Sequence, residues 1–196
     1  MITNLSSLRL ALADYINRSD IASATLDLFI DNGRREAARY QAREQEQFAT
    51  LTLDADLRAP LPARYMAARA VYTVAGIVLP QIGSVFASVG SEGGYRVVGE
   101  ELEAFGGGLE EGDELELHYY EFPSQLVADS DTNTFLTVNA DLWLWCAVLE
   151  AGRYLRNEEL TEAAVRAVET IGGRVSATAN AGRQYGGPRQ MKLRGQ

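Results

Sequence analysis

"DLWLWCAVLEAGRYL", residues 141–155, carries both tryptophans and the only cysteine of a 196-residue chain. In a helix, residues three and four apart share a face. Trp145, Leu149 and Leu142 then fall on one side, and Leu144, Val148 and Leu155 on another. No position between Leu142 and Leu149 is polar. A helix that is apolar all round is buried all round, and this run is too short to span a bilayer. The stretch therefore predicts a helix at the centre of a core, with Trp145, Cys146 and Leu149 inside it, and not a binding site.

Working outward, Asn139 is positioned to cap this helix, and Arg153, Tyr154 and Arg156 close it with charge suited to a C-terminus. A further helix is predicted over about 158–178 from Leu160, Ala164, Ala167, Val168, Ile171 and Val175, packed antiparallel on its predecessor. On the N-terminal side, Asn4 caps a helix through Ile16. After the turn "NRSD" (17–20), a long amphipathic helix is expected from about Thr25 to Gln47. Leu26, Phe29, Ile30, Gly33, Ala37 and Tyr40 form its apolar face, with i,i+4 pairs such as Asp31–Arg35 elsewhere.

The period then changes from helical to alternating. "ATLTLDADL", "ARAVYTVAGIVLP" with its turn at Ala75-Gly76, "GYRVVGEELEAF" and "DELELHYYEF" read as strands and tight turns. The expected fold class is α+β: a mainly helical bundle (helices about 4–47 and 139–178) with a small antiparallel β module inserted over about 50–122. Residues 123–134 are a polar loop. Residues 1–178 make up the main domain, and 179–196, with no apolar periodicity, are expected to form a flexible basic C-terminal arm.

Composition limits the chemistry. The chain is 46% hydrophobic, enough to fill a core without disulfides or metal. A single cysteine rules out an internal disulfide framework. No charged start leads into an apolar run with a cleavage site, so a soluble protein made and kept in a cytoplasm is expected. The net charge of −9 argues against nucleic acid as the main ligand. Five of the 18 bases (Arg174, Arg183, Arg189, Lys192 and Arg194) follow Glu169, and all 27 acids lie at or before it. The pattern is an acidic body with a basic interaction arm.

Catalytic constellations are weak. His118 is the only histidine, which leaves no histidine pair for a metal, and its strand position reads as surface. Cys146 sits in the most apolar helix, where a thiol is inert. Asp129, Asp131 and Asn133 match the first three ligands of a calcium loop, but Thr134 and Ala140 stand where glycine and glutamate are needed. An EF-hand is excluded, though an opportunistic cation near Asp129–Asn133 is not. "GGG" (106–108) opens no phosphate loop, and the single lysine, Lys192, lies in the arm. No catalytic, cofactor or metal residues are assigned. Two other classes stay open: a small soluble enzyme or ligand-binding domain with a pocket between β module and helices, and an acidic DNA mimic or regulator.

The whole order of blocks carries a resemblance. "NRSD" (17–20) leads into "LFIDNGRREAARYQAREQEQFATLTL" (28–53), then "APLPARYMAARAVYTVAG" (59–76), "GYRVVGEELEAF" (94–105), "DELELHYYEFPSQL" (113–126) and "TNTFLTVNADLWLWCAVLEAGRYLRNEE" (132–159). Over nearly its whole length the chain is similar to the head-to-tail connector (adaptor) proteins of tailed bacteriophages, found also in prophages. It departs from them at "NADLWLW", where a proline commonly opens the helix and Asn139 stands as an alternative cap.

The resemblance implies a structural virion protein of the neck, assembled in the host cytoplasm, with no enzyme activity, cofactor or membrane. Such a protein forms a homo-oligomeric ring, a dodecamer, below the portal protein. It is expected to be a monomer when alone, to meet the next tail or head-completion protein, and to let DNA pass without specific binding. The residues expected to contact the portal or a neighbouring subunit are Arg183, Arg189, Lys192 and Arg194 for charge, with Tyr185 and Met191 as small apolar anchors.

Overall fold

A computed structural model describes residues 1–18, 20–82 and 93–185. The fold is α+β, and the chain divides into two compact units: a helical one (Met1–Glu44 with Pro123 onward) and a β unit (Gln45–Phe122).

In the helical unit, α1 (Leu5–Ile16) starts on a reciprocal cap. The Asn4 side chain accepts from the Ser7 amide at 2.9 Å, and the Ser7 hydroxyl accepts from the Asn4 amide at 3.0 Å. Leu5, Leu8, Leu12 and Ile16 then fall on the buried face. Helix α2 (Ser23–Ala38) buries Leu26, Phe29, Ile30, Gly33 and Ala37, the face that the periodicity assigned to it. It stops at Ala38, not near Gln47. Gln41 turns left-handed at φ 50°, a short 3₁₀ turn covers Arg43–Gln45, and residues from Glu46 join a strand ladder. Residues 41–47 suit a helix by propensity. Pairing of Glu46–Thr52 along a partner strand overrides that preference.

Helix α3 (Thr134–Leu155) begins one turn earlier than expected. Asn133 is its cap, accepting from the Leu136 amide at 2.8 Å. Asn139 is instead a kink inside the helix (φ −118°, ψ 34°), and its amide donates to Glu44 Oε2 at 3.0 Å. The early start is stabilised by burial of Phe135 and Leu136.

The core tryptophan is Trp143, fully buried, with its indole N–H donating to the Ile30 carbonyl at 2.9 Å and its ring edge-on to Phe135. Trp145, expected at the centre, is only half-buried and stands edge-on to Tyr15 at 4.8 Å. Two helical positions differ by about 200° around the axis, so the two indoles point to nearly opposite sides. Helix α4 (Glu158–Tyr185) runs beyond the expected end at residue 178. Ala179, four residues after Val175 on the same stripe, is buried and extends the packed face.

The β unit holds two antiparallel sheets over one core. The first sheet contains β1 (Glu46–Thr52), β3 (Tyr65–Thr73), β4 (Val78–Leu79) and β7 (Glu114–Glu121), in the order β1-β7-β3-β4. The second contains β2 (Arg58–Pro60), β5 (Gly94–Val98) and β6 (Glu101–Phe105), in the order β2-β6-β5. A two-residue turn, with Gly99 at φ 63°, joins β5 to β6. Leu51, Val71, Leu79, Leu115 and Leu117 from the first sheet, with Leu53 just past the end of β1, meet Ala59, Tyr95, Leu102 and Ala104 from the second.

Candidate functional site

The residues with potential chemistry are each engaged in structure. Cys146 is fully buried on α3, and burial pushes its thiol up to about 12. At neutral pH it is a thiol and not a nucleophile. Ellman's reagent should leave it unmodified in the folded protein and titrate one thiol per chain in denaturant; prompt labelling of the native chain would contradict this burial.

The loop that resembles a calcium site spends its donors on itself. Asp129 pairs with Arg9, which is also held by Asp27 at 2.5 Å. Asp131 accepts from the Val127 and Ala128 amides, both at 2.8 Å, and these two bonds hold its carboxyl below the usual carboxylate range. The Asn133 side chain caps α3 and donates to the Ser124 carbonyl at 2.9 Å. The backbone carbonyls of Asp129 and Asp131 accept from Ser6 and Leu5, tying the loop to the start of α1. Among the described residues no group of three or more His, Cys, Asp or Glu side chains could hold a metal ion.

His118 is less superficial than its strand position implied. Its side chain is 21% exposed, with Nε2 2.7 Å from Glu116 Oε1. Its ring meets Phe48 edge-on at 4.4 Å and Tyr72 at 4.8 Å. A carboxylate-oriented imidazole is half of a general base, but what surrounds it here is a pair of aromatic rings.

Those rings belong to one face of the first sheet. Strand registers align Phe48, His118 and Ala70 in one cross-strand row, and Thr50, Glu116, Tyr72 and Val78 in the next. The alternate rows, with Leu51 and Leu115, then Leu117, Val71 and Leu79, turn inward. On the outward rows Phe48 is 63% exposed and Val78 53%. From sequence, the helix was expected to reach about Gln47 and the first strand to start at Ala49, so Phe48 fell in neither, and no face was assigned to Tyr72 or Val78. The available signal was that Phe48 and Val78 stand out of phase with the leucines.

Charge is distributed as unevenly as the apolar surface. Residues 45–122 contain 13 acids and four bases, while the rest of the chain contains 14 of each. The whole net charge of −9 therefore belongs to the β unit. Its four arginines are all paired: Arg58 with Glu101 and Glu103, Arg64 with Glu121, Arg69 with Glu46, and Arg96 with Glu103. Glu114 and Glu116 share the outward sheet face, and Glu110, Glu111 and Asp113 lie exposed in the turn before it.

Of the expected contact residues, Arg183 and Tyr185 fall in the last turn of α4 and not in an arm beginning at residue 179. Their side chains, and Arg189, Met191, Lys192 and Arg194, lie outside the described residues. In the helical unit, a groove of about 450 Å³ opens at the kink of α3, lined by Arg43, Glu44, Asn139, Asp141, Arg174 and Val175 among others. No helix among the described residues is long and apolar enough to cross a membrane.

The family model described as SU10 adaptor protein matches residues 3–191 of the chain. No curated protein matches it.

Proposed function

The chain belongs to the SU10 adaptor protein family, and on that premise we propose that it forms a ring below the portal and joins the capsid vertex to the tail. As a phage adaptor it is a structural protein of the virion and interacts with other head or tail proteins. We infer twelve copies, matching the symmetry of the portal, with the next tail or head-completion protein bound on the opposite side and DNA passing through the centre.

The concentration of all −9 charges in the β unit is the observation that supports this reading best. A phosphate polymer is repelled by such a surface, so a ring bearing twelve of them lets DNA pass without gripping it. The same repulsion acts between copies, so a templating partner is needed to gather them. The basic C-terminal segment, with Arg183 and Tyr185 in the last turn of α4 and Arg189, Met191, Lys192 and Arg194 after it, supplies charge and small anchors for an acidic surface on the portal or a neighbouring subunit.

Purified protein alone should sediment as a monomer or a polydisperse mixture. Added to purified portal rings, it should form a second twelvefold ring visible by electron microscopy. A stable closed dimer that ignores the portal would overturn this reading.

A further inference from the structure

We propose that the outward face of the sheet β1-β7-β3-β4 is the docking surface for the basic C-terminal arm of a second copy of this chain. The ring reading enters only in bringing that second copy alongside.

Phe48, Tyr72 and Val78 present an apolar strip across the sheet, with Phe48 and Val78 more than half exposed. The strip is preorganised. His118 is bonded to Glu116 and wedged between the Phe48 and Tyr72 rings, so little side-chain freedom is lost when a ligand lands there. Around the strip, Glu114, Glu116 and the 110–113 turn contribute acids, while each arginine of the unit is already taken by a carboxylate. A matching occupant is therefore cationic with interleaved apolar groups.

The chain itself contains one such segment. After Glu169 no acid occurs, and Arg183, Arg189, Lys192 and Arg194 alternate with Tyr185, Met191 and Leu193. Arginine over an aromatic face and methionine sulfur at a ring edge are favourable contacts for this strip. Beyond Tyr185 the remaining residues, 186–196, can reach about 40 Å when extended. The charge balance selects a second copy as the source. Copies with a net charge of −9 repel, and a contact made by the only cationic segment turns neighbouring copies from repulsive to attractive.

The buried, unreactive Cys146 makes a selective test possible. Met191→Cys protein carrying a benzophenone maleimide would be mixed with an equal amount of ¹⁵N-labelled chain, with and without portal rings, and irradiated. Mass spectrometry should find labelled-to-unlabelled cross-links on β1, β7 or the β3–β4 hairpin. Phe48→Ala or Glu114→Arg in the ¹⁵N partner should lower their yield by about tenfold, as should 0.5 M salt for the charged contribution.

Cross-links confined to one copy, to the portal or to the helical unit would overturn the proposal, as would a yield indifferent to both substitutions. Sheet-face cross-links between copies in solution, with no ring on the portal, would uphold it and count against the ring reading alone.

Discussion

Replacing Trp143 by alanine should unfold the helical unit. The side chain is fully buried and touches Phe135, and its indole N–H reaches the Ile30 carbonyl across the α2–α3 contact. Removing a buried tryptophan typically costs about 3–5 kcal/mol, against a total stability of about 5–15 kcal/mol. The variant should be poorly soluble or lose its helical circular-dichroism transition well below the parent's melting temperature. Trp143→Phe keeps most of the buried area and should lose roughly 1–2 kcal/mol, including the hydrogen bond. Trp145→Ala, at a half-exposed edge contact with Tyr15, should lose less than Trp143→Ala. If Trp145→Ala collapses and Trp143→Ala melts close to the parent, the core has been assigned to the wrong indole.

That contrast marks how far the sequence was legible. An unbroken apolar run from Leu142 to Leu149 is enough to place a helix in a core. Which of two tryptophans faces inward depends on the direction from which α2 approaches, and that is a tertiary fact. The same holds at the ends of elements. Asn133 and Asn139 are both plausible caps by residue type, and burial of Phe135 and Leu136 decides for the first. Residues 41–47 suit a helix locally, but Glu46–Thr52 finds a seven-residue partner in β7, which no local window contains. Ala179 is unremarkable as a letter, yet at four residues past Val175 it is buried and carries the last helix onward.

The chemistry was legible in a different way. The charge asymmetry could be read as acidic body and basic arm, but only the unit boundaries at Glu44 and Phe122 reveal that the β unit holds the entire surplus. The outward sheet face was hidden because alternation alone does not say which side of a strand is wet. Phe48 and Leu51 sit in one strand with equal apolar character, and the inward ladder of Leu51, Leu115 and Leu117 makes Phe48 the exposed one.

Gly33→Ala should be among the most damaging single-methyl changes in the protein. On α2, a Cβ at this position would lie 2.6 Å from the Ala147 nitrogen, 2.8 Å from the Ala147 Cα and 3.0 Å from the Cys146 carbonyl carbon. All three are backbone atoms of α3, so no rotamer change relieves the overlap and the two helices must separate. That separation loosens the packing around Trp143, Val148 and Ile30 together. Overpacking of a core costs about 1–3 kcal/mol even where side chains can shift, and this site has only backbone to move. The gain in helix propensity from glycine to alanine, about 1 kcal/mol, offsets part of it.

A net loss of roughly 2 kcal/mol or more is expected. In a chain of this length each kcal/mol moves the midpoint by about 2–4 °C. Gly173→Ala on α4 is the matched control, since its Cβ would meet nothing within 4 Å. It should keep the propensity gain and melt slightly above the parent. Thermal melts of the two variants should therefore move in opposite directions. A Gly33→Ala protein that melts at or above the parent temperature would mean that α2 and α3 do not make the close backbone contact on which this core is built.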